Sequence, residues 1–172
     1  MPWRSIVPWL AFQGVWLVCA IGAASGSGVP GIAAALLFAA AMLAWSPQPV
    51  RDALVVAVSG LAGLLIESAL VIAGLIRFSA PWPIETIAPA WIVALWIAFG
   101  ASLPSFADKL GAHRLKIAAT LGAVAGPLAY LAAARLGALQ LVGSVTVSIL
   151  VISAVWAAVM AGLVALRANL HQ

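Results

Sequence analysis

The sequence predicts an all-α, polytopic membrane bundle of about six transmembrane helices, forming a single domain over residues 1–172. Two observations carry this prediction. Of the 172 residues, 66% are hydrophobic and 7% are charged, whereas a soluble domain carries about 25% charged residues. The apolar runs are also continuous, and their lengths approach the roughly 20 residues that a helix needs to cross a bilayer. Strands of a membrane β-barrel would instead alternate polar and apolar residues over about ten positions.

Turns and charged segments divide the chain into predicted spans at about residues 6–24, 30–45, 53–76, 89–106, 115–134 and 139–166. Pro30 falls at the start of the second span, where a helix tolerates proline. Proline-containing loops at residues 46–49 and 77–88 flank the third span, and a charged segment, residues 108–116, precedes the fifth. We read residues 6–24 as a retained span rather than a cleaved signal peptide, because the apolar run is long and contains Gln13.

The Lys and Arg residues predict the orientation of these spans. Arg77 and Arg135 fall on one side of the membrane, whereas six others fall on the side of the N-terminus: Arg4, Arg51, Lys109, Arg114, Lys116 and Arg167. Because cytoplasmic loops carry the excess of basic residues, we expect both termini in the cytoplasm. The net charge of +4 then reflects orientation, and we expect the lipid bilayer, not nucleic acid, as partner. Five tryptophans near span ends fit an aromatic belt: Trp3, Trp9, Trp45, Trp82 and Trp91.

A half-chain repeat is a further hypothesis about the architecture. Residues 32–36 of the second span resemble residues 117–121 of the fifth, and residues 43–45 resemble residues 128–130 in the same register. Three spans in each half would give a 3+3 inverted repeat, an arrangement known in transporters. The alternative is that helices rich in Ala and Leu match each other by chance.

Glu67 is the most informative polar residue, because it lies well inside the third predicted span. An intramembrane carboxyl group costs at least a few kcal/mol unless it is neutral or paired, so it marks a candidate functional site. Gly60, Gly63, Glu67 and Gly74 fall on one stripe of a helix. Since small residues mark helix contacts in membranes, we expect Glu67 to point into the bundle. A structural acid bonded to a neighbour is the alternative.

The fifth predicted span offers Tyr130 as a partner for Glu67. Gly122, Gly126 and Tyr130 recur every four residues, which places them on one packing face. Tyr130 and Glu67 lie at similar depths in spans that run in the same direction. Pro127 frees a backbone carbonyl, which marks either a packing kink or a ligand contact. We expect Glu67 to be protonated and hydrogen-bonded near Tyr130 in a pocket that opens to the periplasm.

Three further residues complete the candidate ligand site. Gln13 lies in the inner half of the first span, Trp91 at the start of the fourth, and Arg135 at the outer boundary. Arg135 can either extend to the headgroups or face an anionic ligand above Glu67. The sequence contains no HExxH motif, no phosphate-binding loop and no Cys/His cluster. We therefore expect no catalytic residue, no bound metal and no cofactor.

These residues leave two classes of function open. The first is a small carrier, or a lipid- or small-molecule-binding protein, that uses the Glu67 site. The second is a non-catalytic partner that assembles with a membrane enzyme, for example a lipid-modifying one. A membrane enzyme in its own right ranks below both, because the chain has only four acidic residues and they are scattered in depth. A membrane-protein partner or a homo-oligomer is compatible with either class.

Several segments spread over most of the chain resemble one family. They are Phe12-Gln13 with Trp16, residues 63–68 around Glu67, residues 89–99, residues 122–130 ending in Gly-Pro-Leu-Ala-Tyr, and residues 134–138. Through them the sequence resembles a family of small bacterial inner-membrane proteins, domain-of-unknown-function family 2878. The resemblance implies an integral protein of the bacterial inner membrane and no particular activity. Two features depart from the family pattern: its acid in the third span is usually Asp, and Pro104 interrupts the end of the fourth span.

Overall fold

A computed structural model describes residues 3–107 and 109–170 of the chain. Its elements, in chain order, are α1 Trp3–Ala24, α2 Val29–Ala44, α3 Pro49–Ile72, β1 Ile76–Phe78, α4 Ala90–Ser102, α5 Pro104–Ala107, a 3-10 turn Gly111–His113, α6 Arg114–Leu136, β2 Leu139–Leu141 and α7 Val145–Leu170. The structure is 78% helical, so the predicted all-α bundle is confirmed. Asp108 in the predicted charged segment, and the side chains of Trp3 and Arg4, lie outside the described part.

The helices are those of a multi-pass membrane protein. Among the described residues, five helices are long and apolar enough to cross a membrane: residues 7–24, 49–72, 90–107, 111–136 and 145–170. The 16 residues of α2 rise about 24 Å. Gly28, just before α2, lies against Trp91, and Ala39 packs with Ala101, so α2 runs beside α4 along nearly its whole length. It is apolar but shorter than these five helices, and its position beside α4 is where the sequence predicts the second span. We call the membrane face at which α1 begins the near face and the opposite face the far face.

The helices α3 and α6 end in the same way at the far face. Gly74 follows α3 with φ +67°, and Gly137 follows α6 with φ +86°; this left-handed conformation favours glycine. The residue after each glycine donates its N–H to the carbonyl five positions back, at 3.0 and 2.9 Å. The two chains then pair as antiparallel strands β1 and β2, with Arg77 opposite Gln140.

This sheet changes the predicted span ends. The predicted third span extends to residue 76 and the predicted sixth span begins at residue 139, but both positions lie in strands. An apolar segment of three residues has no periodicity that separates a strand from a helix. The predicted packing role of Gly74 is wrong for a related reason. An added Cβ there would meet no atom within 4 Å, because Gly74 caps α3 and does not contact a neighbouring helix.

The helix α4 is the most buried of the membrane-length helices and lies among α1, α2 and α3. Its predicted span, residues 89–106, has two helical parts, since Pro104 has no N–H to continue the hydrogen bonding of α4. At this break, Leu103 N–H donates to the carbonyl of Gly100 at 3.3 Å, and Ser105 Oγ donates to the carbonyl of Ser102 at 2.6 Å. The central position of α4 brings Trp91 and Trp96 into the middle of the bundle.

A buried ion pair joins α3 to α7 at the near face. Arg167 pairs with Oδ1 of Asp52, and Ser46 Oγ donates to Oδ2 of Asp52 at 2.6 Å. Asp52 is 6% exposed and Arg167 is 5% exposed. Arg167, which the sequence presents as an orientation determinant, therefore also holds the last helix against the start of α3.

Candidate ligand-binding groove

Glu67 lies on the face of α3 that packs against α4, and it is 1% exposed. On the same face, Gly60 lies against Ile97 and Gly63 lies against the ring of Trp96. The small residues one and two turns before Glu67 thus admit large side chains of α4. The carboxyl group consequently points into the bundle rather than at lipid.

One oxygen of the Glu67 carboxyl group accepts two hydrogen bonds. The indole N–H of Trp96 donates to Oε1 at 2.9 Å, and the hydroxyl of Tyr130 donates to the same oxygen. The contact between Glu67 and Tyr130 that the sequence predicts is therefore present. The other oxygen, Oε2, is buried and has no hydrogen-bond partner among the residues that the structure describes.

The two side chains meet because their helices share a register at the far face. Glu67 precedes Gly74 and Tyr130 precedes Gly137 by the same seven positions. Since the strands that follow these glycines pair with each other, the ends of α3 and α6 lie at the same depth. Seven residues of helix rise about 10 Å, which puts both side chains about 10 Å below the far-face sheet.

Two stacked indoles form the wall beside Glu67. Trp96 and Trp156 stack with ring centroids 4.6 Å apart and an interplanar angle of 24°. Trp96 fits against Gly63 and Trp156 fits against Gly126, so a side chain at either glycine would collide with an indole ring. Gly122 likewise lies against the backbone carbonyl of Trp156. The glycines on α3 and α6 therefore make room for this aromatic wall.

A groove of about 690 Å³ runs along the bundle between α1 and α6. Its lining includes Phe12, Gln13 and Trp16 of α1, nine residues of α6 between Leu121 and Ala133, and the aromatic wall of Trp96 and Trp156. The lining is apolar apart from the indole N–H groups and four polar side chains, those of Gln13, Glu67, Ser102 and Tyr130. Glu67 and Tyr130 thus form a polar site within a long apolar groove.

The mouth of the groove lies on the side of the bundle. Trp9, Leu121 and Leu128 line the groove and are also exposed on the outer surface. Exposed apolar side chains within a membrane-spanning helix face lipid. The groove therefore opens sideways to the bilayer along α1 and α6, whereas the sequence-based expectation was an opening toward one aqueous face.

Three buried polar atoms of groove-lining residues have no hydrogen-bond partner among the described residues. They are Oε2 of Glu67, Nε1 of Trp91 and Nε1 of Trp156. Trp91, which the sequence also places in the aromatic belt, is only 3% exposed and meets Phe78 edge to face at 5.4 Å. Because unpaired buried polar groups are costly, three of them around one groove indicate a place where a ligand can bond.

The predicted site residues divide into two groups. Glu67, Tyr130, Gln13 and Trp91 all border the groove. Arg135 does not: it is exposed in the last turn of α6 and is not among the lining residues. Five positions after Tyr130, it lies about 140° around the helix from that residue, given about 100° per residue. The predicted role of Arg135 beside Glu67 is therefore corrected.

No lysine, arginine or histidine lines the groove within the described part of the chain. Glu67 therefore has no cation close by in the groove.

The predicted packing residues Gly60, Gly63, Gly122 and Gly126 are all buried against neighbouring helices, and Pro127 is buried within α6.

Sequence reasoning missed Trp96 and Trp156 as parts of the site. Both tryptophans lie in the interior of predicted spans, so neither belongs to the aromatic belt at the span ends. The available signal was their location: an indole in mid-span carries an N–H group that needs a partner when it is buried.

The chain matches the model of the family described as "Protein of unknown function (DUF2878)" over residues 5–162. No curated protein matches the chain, and no solved structure matches it. The family match covers all the residues that line the groove.

Proposed function

The chain belongs to the DUF2878 family of unknown function, and we propose that it binds an amphipathic lipid or a lipophilic small molecule in the groove between α1 and α6. The observation that carries the proposal is Glu67, a buried acid with an unpartnered oxygen in the wall of an apolar groove that opens to lipid. We further place the protein in the bacterial inner membrane with its near face toward the cytoplasm, because the near-face loops and helix ends hold six of the eight Lys and Arg residues.

The size and lining of the groove support this proposal. Ligand pockets are commonly about 300–1,000 Å³, mostly apolar, with a few polar groups that orient the ligand. The volume of about 690 Å³ lies within that range. From Leu121 to Ala133 the α6 wall rises about 18 Å, enough for an extended apolar chain beside a polar head.

The role of Glu67 in the proposal is to hold the polar part of the ligand. A charged carboxylate in an apolar lining without a cation is costly, so we assign Glu67 its neutral form. The proton then sits on Oε2, since Oε1 already accepts bonds from Trp96 and Tyr130. A ligand that accepts a hydrogen bond from Oε2 pairs the one carboxyl oxygen that the protein leaves unpaired.

Native mass spectrometry of the protein purified in mild detergent tests the proposal. We expect a co-purifying lipophilic molecule on the unmodified protein. Ala129 lines the groove next to Tyr130 in the chain, so Ala129→Trp places an indole in the groove and should remove that molecule. Leu61→Trp is the matched control, because Leu61 lies outside the groove and is 57% exposed. Retention of the molecule in Ala129→Trp would contradict the proposal, and a protein without bound molecules in any form would favour the assembly-partner alternative.

A further inference from the structure

We propose that the ligand is an uncharged lipid with a flat, carbonyl-bearing head group, the chemistry of a quinone with an apolar tail. This inference rests on the proposed function and adds the class of ligand. It comes from the kinds of hydrogen-bonding atoms left unpaired around the groove, from the absence of charge in the described lining, and from the shape of the aromatic walls.

The unpaired atoms are mainly donors. An indole nitrogen donates and never accepts, so Nε1 of Trp91 requires an acceptor. Nε1 of Trp156 is near the hydroxyl of Tyr130 but makes no hydrogen bond with it, so it can also donate to a ligand. Neutral Glu67 adds a third donor at Oε2. A head group with two carbonyl oxygens supplies four lone pairs and no donor, whereas an ammonium head group supplies no acceptor and leaves both indoles unpaired.

The lining also excludes an anionic head. A phosphate or carboxylate inside the groove would need a cation or several charge-assisted bonds to offset its desolvation. Within the described residues, no Lys, Arg or His borders the groove. The exposed position of Arg135 keeps that guanidinium away from Glu67. An uncharged head avoids this cost.

Aromatic faces line the groove around Glu67. Trp96 and Trp156 stack on each other, and Phe99 meets both rings edge to face at 6.0 and 5.4 Å. Phe12 of α1 lies 5.8 Å from Phe99. Flat conjugated rings pack well against such walls, since offset and edge-to-face contacts between rings are favourable. The apolar lining toward Leu110 and Leu121 then accommodates the tail.

Binding of four synthetic amphiphiles to the full-length protein in detergent tests this inference. The probes are a decyl-substituted benzoquinone, dodecyl phosphate, dodecyltrimethylammonium and 1-dodecanol, with bound stoichiometry read by native mass spectrometry over a concentration series. We expect saturable binding of the quinone and at least tenfold weaker binding of the other three, because they are charged or lack two carbonyl acceptors.

Two separate substitutions test the donors. Trp91→Phe and Trp156→Phe each remove one N–H group and should weaken quinone binding roughly tenfold, the equivalent of one hydrogen bond. Trp82→Phe is the control, since Trp82 is exposed in the loop between β1 and α4 and lies outside the groove. Using two positions keeps the test decisive if one variant is poorly folded.

The outcomes separate the ligand class from the proposed function. Equal or tighter binding of dodecyl phosphate or dodecyltrimethylammonium, abolished by Ala129→Trp, would overturn the quinone-type head and keep a lipid-binding groove. Quinone binding that neither indole substitution changes would also overturn the inference. Binding of every probe that Ala129→Trp leaves unchanged would overturn the groove itself, and with it the proposed function.

Discussion

Tyr130 donates a hydrogen bond to Glu67 across 63 positions of sequence, and the helices that carry the two residues reach the far face through the same glycine-capped turn. The pairing of β1 with β2 fixes the heights of α3 and α6 relative to each other. A polar contact in the middle of the bundle is thus aligned by backbone hydrogen bonds at the membrane surface. Four predictions test this arrangement and its surroundings.

Gly126→Ala should destabilise the protein through the aromatic wall. An added methyl group at Gly126 would collide with the ring of Trp156, and overpacking of this kind costs about 1–3 kcal/mol. The apparent Tm in detergent should fall by several degrees, since about 1 kcal/mol corresponds to about 2–4 °C in a chain of this size. Gly162→Ala in α7 is the matched control. A Cβ there meets no atom within 4 Å, so alanine should leave Tm unchanged or raise it. Equal effects at both positions would mean that the close contact with Trp156 is absent.

Asp52→Asn should lower stability through the near-face ion pair. The substitution keeps the shape of the side chain and removes its charge from Arg167 and Ser46. Hydrogen bonds to charged groups contribute about 1.5–3 kcal/mol, so the apparent Tm should fall by several degrees. The neighbouring Arg51→Gln is the control, because Arg51 is exposed and its guanidinium donates to Gln48. An Asp52→Asn protein as stable as Arg51→Gln would show that the pair contributes little.

Reporter fusions should reveal the orientation of the bundle. Fusions after Gln48 and after Gly111 lie at the near face and should report a cytoplasmic location, whereas fusions near Pro83 lie at the far face and should report a periplasmic one. The reason is the excess of Lys and Arg at the near face. The reverse reporter pattern would refute the assigned orientation.

The position of Glu67 was predictable from sequence because helical spacing alone puts it on one face with Gly60 and Gly63. Tyr130 followed from counting residues along spans that run in the same direction. The expectation for Arg135 was wrong because it relied on nearness to Tyr130 along the chain, whereas five positions at about 100° per residue place the two residues about 140° apart around the helix. Gly74 has the spacing of the packing stripe, and only its φ of +67° identifies it as a helix cap.

The stacking of Trp96 on Trp156 beside Glu67 was beyond sequence reasoning for a different reason. The chain has eight tryptophans, and no local pattern identifies the ones that stack beside an acid. Their placement depends on where α4 crosses α3 and where α7 crosses α6, and Gly63 and Gly126 set those crossings from other helices. Such contacts join residues that are distant in sequence. The half-chain repeat stays a prediction for a similar reason, since periodicity within one helix does not show how that helix packs against another.

Glu67→Gln and Glu67→Leu together test the neutral form of the acid and its part in binding. Glutamine keeps a carbonyl oxygen that accepts the bonds of Trp96 and Tyr130, and its amide N–H₂ replaces the protonated Oε2 as donor. Glu67→Gln should therefore keep the apparent Tm within a few degrees and retain the co-purifying molecule.

Leucine offers neither acceptor nor donor, and it leaves two buried donors unpaired at about 1–3 kcal/mol each. Glu67→Leu should lose several degrees of Tm and the bound molecule. Thermal unfolding and native mass spectrometry of the two variants measure both effects. A well-folded Glu67→Gln protein without the bound molecule would show that the acid is charged when it binds, and a Glu67→Gln protein that does not fold would show that its charge holds the bundle together; either result would end the proposal of a neutral acid.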